Sequence, residues 1–222
     1  NINKHLILLF SVLFFLFAVS VSSGCFRKNE SDVKSVVRNE LDQLKNLDSE
    51  TTQKYIPYTE LFPDATENTD LTDEINETFS LFFRKFNYKI SDVIVGTTNH
   101  SATVSVKLTT IDSKVLARDF KAELLRTQIT ESAQAQKGNI KDSSRSLEAH
   151  YLILNHLLNT NDYDTAETDC NIQLVNTGND KKEKWKIQRT NSLEDDLVGG
   201  LIADLADPDI LSPEDTLTVY LD

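Results

Sequence analysis

Residues 101–112, SATVSVKLTTID, alternate strictly: Ala102, Val104, Val106 and Leu108 point one way, and Thr103, Ser105, Lys107 and Thr109 the other. Only an extended strand puts every second side chain on one face. One face is apolar and one polar, so this strand is buried on one side and wet on the other, the mark of an antiparallel sheet. YKISDVIVG (88–96) precedes it across the short segment TTNH, and a strand pair is expected. A sheet with one greasy face must be covered, and the rest of the chain has to supply the cover.

Helical periodicity lies on both sides of this pair. Val33, Val36, Val37, Leu41, Leu44 and Leu47 fall on one helical face, and Ile75, Phe79, Phe82, Phe83 and Phe86 form a heavily aromatic one. Thr72 reads as the N-cap of the second helix, with Asp73 and Glu74 in its first turn, where the helix dipole favours acids. Pro57 and Pro63 break the segment between the two. After the strand pair, Leu116, Phe120, Leu124 and Ile129 predict a helix opening after Asp112, interrupted near Gly138, and Leu147, Tyr151, Leu154 and Leu158 predict another over 144–159. AETDCNIQLVNTG and KKEKWKIQRT then read as two strands joined by the turn TGNDKK. Ser192 with Asp195 resembles a capping box opening SLEDDLVGGLIADL, and the acidic tail 208–222 reads as a mobile segment or a docked strand, TLTVYLD. The expected fold class is α+β, an antiparallel sheet packed on N-terminal helices with extra inserted helices.

The N-terminal residues point to a location. LILLFSVLFFLFAV (6–19) is apolar except for Ser11 and comes after Lys4 and His5. Fourteen helical residues reach about 21 Å, short of a bilayer core of about 30 Å, which suits a signal-peptide core better than a permanent span. Small residues, SVSSG, then precede Cys25. Three outcomes fit: cleavage between Gly24 and Cys25 with lipid on the Cys25 sulfur, ordinary secretion cut near Ser22 or Ser23, or an uncleaved anchor helix. The segment resembles a bacterial lipobox, with Gly24 and Ser23 in place and Ser22 where leucine is common. The resemblance implies a lipoprotein signal peptide over 1–24, a tether over 25–31 and lipid attachment at Cys25, which would hold the protein at the extracytoplasmic face of the cell membrane. With Cys25 acylated, Cys170 is the lone thiol and reads as a buried, inert strand residue; a free Cys25 outside the cell would instead permit a 25–170 disulfide.

Charge narrows the partners. The chain carries a net −12, and residues 1–24 hold Lys4 and no acid, so residues 25–222 carry −13. Such a balance disfavours nucleic acid and electrostatic binding to anionic lipid. The six glycines supply neither a dinucleotide-binding nor a phosphate-binding loop. No Gly-x-Ser-x-Gly elbow or His-Glu-x-x-His pattern occurs. His150 and His156, six residues apart, lie about 120° apart around a helix and do not share a metal. NTNDYDTAETD (159–169) is acidic but lacks the central glycine and ligand alternation of a calcium loop. No catalytic residue, metal ligand or cofactor-binding residue is assigned, and no cofactor is expected.

The order of elements, with YKISDVIVGTTNHSATVSVKLTTID, the late strand EKWKIQ and the tail helix LEDDLVGGL, resembles the nuclear-transport-factor-2-like (cystatin-like) lipoproteins of Gram-positive bacteria. The resemblance implies a domain over 32–207 in which a curved sheet forms a cone-shaped pocket, and a non-enzymatic protein binding a small apolar ligand or an envelope protein. It also implies the alternative of a pocket enzyme of the isomerase or dehydratase type, for which Tyr88, His100, Asp112 and Tyr151 are the candidate pocket residues. Each of these has a plainer reading: packing for the tyrosines, a turn for His100 and a helix cap for Asp112. If Phe79, Phe82, Phe83 and Phe86 fill the cone, the protein reads as a plain spacer or assembly component.

Overall fold

The computed structural model describes residues 29–56, 58–66, 71–98, 100–137, 144–178 and 182–221. The segment 1–24, Cys25, the start of the tether and the break near Gly138 lie outside these. The fold is α+β, with eight helices among the described residues and one four-stranded antiparallel sheet of order β1-β2-β3-β4. Among the described residues no helix is long and apolar enough to cross a membrane. The chain divides into two compact units: residues up to Asn39 with Ile90–Ser105 and Asn171–Gln188, and Glu40–Lys89 with Val106–Cys170 and Arg189–Asp222.

Helix α1 runs through residues 29–45, so the last tether positions, 29–31, are already helical. It buries Val33, Val37, Leu41 and Leu44, while Val36 is half-buried. Leu47, expected on this face, lies beyond the helix end and is 45% exposed. It occupies the left-handed position (φ 63°), and the Asp48 amide donates to the Gln43 carbonyl at 3.0 Å and the Leu47 amide to Leu44 at 3.1 Å. This pair of bonds is a Schellman end, whose left-handed residue is usually glycine. Asp48 then caps α2 (Ser49–Tyr55) by accepting from the Thr51 amide at 2.8 Å.

Strand β1 (Asn87–Val95) buries no residue fully, and its alternation changes phase between Ser91 and Asp92. In β2 (Ser101–Ile111), Ala102, Val104, Val106 and Leu108 are buried at 0–3% exposure, as the alternation requires. Removing each Val or Leu from water contributes about 1.5–3 kcal/mol. β3 (Thr165–Asn176) hides Cys170, Ile172 and Leu174. Its polar face meets β2 through Thr103 donating to Gln173 and Ser105 to Asn171, both at 2.9 Å. β4 is only Trp185–Ile187, antiparallel to β3 with Leu174 opposite Ile187.

The larger unit holds most of the helices. α3 (Thr72–Phe82) passes into a tight turn, Phe83–Lys85, and Phe79, Phe82, Phe83 and Phe86 are all buried in mutual ring contact. Thr72 is the first helical residue and not the cap, a position taken by Leu71. α4 (Ser113–Ala135) is capped by Asp112 and α5 (Leu147–Thr160) by Ser146. α6 (Asn191–Leu197) starts from Thr190, whose hydroxyl accepts from the Leu193 amide, and not from Ser192. Asp195 serves the next helix instead, accepting from the Ile202 and Ala203 amides at 2.9 and 3.2 Å at the start of α7 (Leu201–Ala206). The tail is neither mobile segment nor strand between Pro213 and Leu221 but helix α8. Ser212 and Asp215 exchange bonds reciprocally, the Asp215 amide to the Ser212 hydroxyl at 3.0 Å and the Ser212 amide to the Asp215 carboxylate at 3.1 Å. That capping box with Pro213 at the first helical position outweighs the alternation of TLTVYL.

The left-handed Leu47 yields a stability prediction. A left-handed leucine costs about 1–2 kcal/mol and glycine there avoids it, less glycine's greater unfolded-state entropy. Leu47→Gly should therefore raise the urea midpoint by the equivalent of about 0.5–1 kcal/mol with an unchanged slope. A lower midpoint would show that the Leu47 side chain packs more usefully than its exposure implies.

Candidate functional site

Within the larger unit, the segment before α3 is anchored by α5. Tyr151 is fully buried and its hydroxyl donates to the Tyr58 carbonyl at 2.9 Å, next to the tight turn Tyr58–Leu61. Burial raises its pKa well above the ordinary phenol range, so it is a structural donor. Its ring stands edge-on to Phe62, centroids 5.4 Å apart, and Phe62 stacks on Phe120 of α4 at 5.1 Å. The two rings form one wall of a cavity of about 310 Å³ that Leu61, Leu124, Ile202, Leu205 and Ala206 help to line.

α7 reaches this cavity because of two glycines. Gly199 and Gly200 both have positive φ (67° and 90°), and a Cβ on Gly199 would lie 2.2 Å from the Thr110 hydroxyl. Only glycine fits that approach. The Ser113 hydroxyl donates at 2.6 Å to the Gly199 carbonyl, fixing the turn against the start of α4.

Three polar side chains line the same cavity: His150, Lys121 and Asp64. His150 sits 4.9 Å from the Phe62 ring and 5.7 Å from that of Phe120. Its Nδ1 is 2.7 Å from the Ser146 carbonyl, which can only accept, so Nδ1 carries the proton and Nε2 presents a lone pair. Burial pushes its pKa down, the Ser146 bond pushes it up, and the Lys121 ammonium pushes it down again; the result lies below the ordinary value of 6.5. The imidazole is therefore neutral at pH 7.

Two other hollows differ in character. One of about 470 Å³, between α4 and α8, is lined by Arg118, Asp119, Glu123, Arg126 and Asp215 among others. Arg118 is paired with Asp119 and Arg126 with Glu123, and the Asp215 carboxylate accepts from Ser212. One of about 230 Å³ holds Lys85 beside Asp162. Of these three hollows the 310 Å³ one has the largest share of apolar side chains on its wall, and we take it as the candidate site.

The structure gives the sequence candidates other positions. Asp112 accepts from the Val115 amide as the α4 cap. Tyr88 donates to Asp42 at 2.6 Å. His100 is exposed, and its carbonyl accepts from the Asn176 amide. Tyr151 borders the cavity's wall but spends its hydroxyl on Tyr58. Cys170 is buried, and burial first, then Asp196, raises its pKa to about 12, leaving it a thiol. Cys25 lies outside the described residues. Among those described, no group of three or more His, Cys, Asp or Glu converges as a metal site would. Phe62, Lys121 and His150 were not legible as a site, because His150 is 88 residues from Phe62 and its spacing to His156 excludes only a metal.

No protein-family model, curated protein or solved structure matches the chain. What the geometry gives is an α+β protein whose larger unit has a hollow lined mainly by apolar side chains, with His150, Lys121 and Asp64 on its wall.

His150 has a pH signature. Its folded pKa is lowered, so the unfolded chain binds the proton more readily. Stability from this group is present above about pH 6.5 and is lost as pH falls from there toward the folded pKa. Between about pH 7 and pH 5 the wild type should lose more unfolding free energy than His150→Phe does. The imidazole resonances should titrate below 6.5. A midpoint at or above that ordinary value would contradict the buried, neutral ring.

Proposed function

We propose that the protein is an extracytoplasmic lipoprotein, anchored to the cell membrane by lipid on Cys25, which binds a small apolar ligand in the 310 Å³ cavity. The observation that carries this reading is the cavity's wall. Phe62, Phe120, Leu61 and Leu205 are individually buried in the protein yet leave space between them. Sites that take small molecules are mostly apolar and range from about 300 to 1,000 Å³, so this one suits a compact ligand. The leader composition and the lipobox-like SSGC support the anchor. The order helix, helix, strand pair, helices, strands supports a nuclear-transport-factor-2-like arrangement of the sheet, although the aromatic face of α3 is spent on packing.

The reading is non-enzymatic: Asp112, Tyr88 and Tyr151 use their polar atoms internally. One observation favours the alternative of a pocket isomerase or dehydratase, the lone pair of neutral His150 beside the cavity, which has the form of a general base. Recovery of a bound ligand chemically unchanged separates the two.

Two measurements test the proposal. Hexan-1-ol should shift the methyl resonances of Leu124, Ile202 and Leu205 in a saturable way, and Leu124→Trp should abolish the effect by filling the space. Absence of any shift up to the solubility limit would refute the binding reading. Protein from the membrane fraction should carry a diacylglycerol-sized mass increment, lost together with membrane association in Cys25→Ala. An unmodified mass would remove the anchor.

A further inference from the structure

The ligand's head group can be read from the charges on the cavity wall. Lys121, on α4, lines the cavity and makes no hydrogen bond or ion pair with any described residue. Several described lysines of this acidic chain lack a carboxylate partner. What distinguishes Lys121 is its place on the cavity wall; Lys85, which lines another hollow, is by contrast paired with Asp162. Lys121 is close enough for its charge to act on the imidazole of His150. Among the described residues, the polar groups on the cavity wall are thus one cation without a carboxylate partner, Lys121, the imidazole of His150 with its Nε2 lone pair, and the exposed carboxylate of Asp64. We propose that the ligand is an apolar carboxylate, its chain among Phe62, Phe120, Leu124 and Leu205 and its head group against Lys121 and His150. This rests on the reading that the cavity is a ligand site.

The protonation is set by the same geometry. A carboxylate placed against the Nε2 lone pair is repelled unless that nitrogen carries a proton. Binding of the anion therefore draws one proton from solvent onto Nε2, giving an imidazolium between the carboxylate and the Ser146 carbonyl, which still accepts from Nδ1. The charged groups facing the ring from the packed elements are Lys121 of α4 and Asp64 of the segment before α3; α7 contributes only Ile202, Leu205 and Ala206. Asp64 is exposed and its charge is screened by water, whereas half-buried Lys121 contributes a small repulsion to the imidazolium form of the ring. A positively charged ligand would invert this order and pair with Asp64.

Three probes of equal chain length decide between these cases: hexanoate, hexan-1-ol and hexylammonium, titrated calorimetrically into the wild type and Lys121→Met at about pH 6 and pH 8. Hexanoate should bind the wild type at least about tenfold tighter than hexylammonium, a difference of about 1.4 kcal/mol. Its affinity should rise at least about threefold from pH 8 to pH 6, while that of hexan-1-ol stays constant. In Lys121→Met, hexanoate should lose about tenfold and hexan-1-ol should be unchanged within about twofold, which also shows that the variant is folded. Equal binding of hexanoate and hexan-1-ol, or hexanoate binding indifferent to Lys121→Met, overturns the carboxylate assignment and leaves the apolar site standing. Preference for hexylammonium overturns it in favour of Asp64. Failure of all three probes to bind overturns the site and the assignment together.

Discussion

The larger unit depends on one buried side chain, Tyr151. It is completely inaccessible, its hydroxyl holds the Tyr58 carbonyl at 2.9 Å, and its ring faces Phe62 on one side and Phe79 on another, centroids 5.4 and 6.2 Å away. One residue thereby ties α5 to both α3 and the irregular segment before it. That segment has little repetitive hydrogen bonding of its own, so its course is set by what Tyr151 and Phe120 present to it. An unpaired backbone carbonyl in such a place would cost about 1–3 kcal/mol. The tyrosine hydroxyl removes that cost and fixes where Phe62 stands. With Phe62 placed, one wall of the cavity exists; Phe120 and the glycine-dependent start of α7 supply the rest.

The same construction explains why a hollow persists. Aromatic rings meeting edge to face or offset are stiff contacts that leave angular gaps. Here Phe62 lies at 30° to Phe120 and at 88° to Tyr151. The cluster of Phe79, Phe82, Phe83 and Phe86 closes completely, whereas the Phe62–Phe120 pair meets the aliphatic side of α7 and does not. The imidazole of His150 is wedged against both rings and kept uncharged by them, and the free ammonium of Lys121 lies near it. A site of this kind needs no catalytic constellation to be selective. On the proposed reading, shape selects the chain, and one cation beside one titrating nitrogen selects the head group.

How much of this was readable in the residues depended on the range of the interaction. Local periodicity was reliable: the alternation of Ala102 to Leu108 and the spacing of Leu147, Tyr151, Leu154 and Leu158 both describe what is buried. Caps competing within a few residues were harder. Ser192 and Asp195 have the right spacing for a capping box, but Thr190 lies at the break in backbone direction and Asp195 is drawn to the next helix. In the tail, alternation of Leu217 and Val219 suggested a strand, yet the reciprocal Ser212–Asp215 bonds nucleate a helix that alternation alone cannot oppose. The site was the least legible part. Phe62, Lys121 and His150 come from three separate segments, and nothing local marks a lysine as lacking a carboxylate partner.

A ligand site here requires that the space beside Phe62 and Phe120 be a preformed apolar cavity and not a gap that closes in solution. Apolar hollows of preformed shape take up xenon. Crystals pressurised with xenon should show a single strong site enclosed by Phe62, Phe120, Leu124 and Leu205, with their side chains unmoved and the site lost in Leu124→Trp. No xenon there, with Phe62 and Leu205 in contact across the space, would contradict the account.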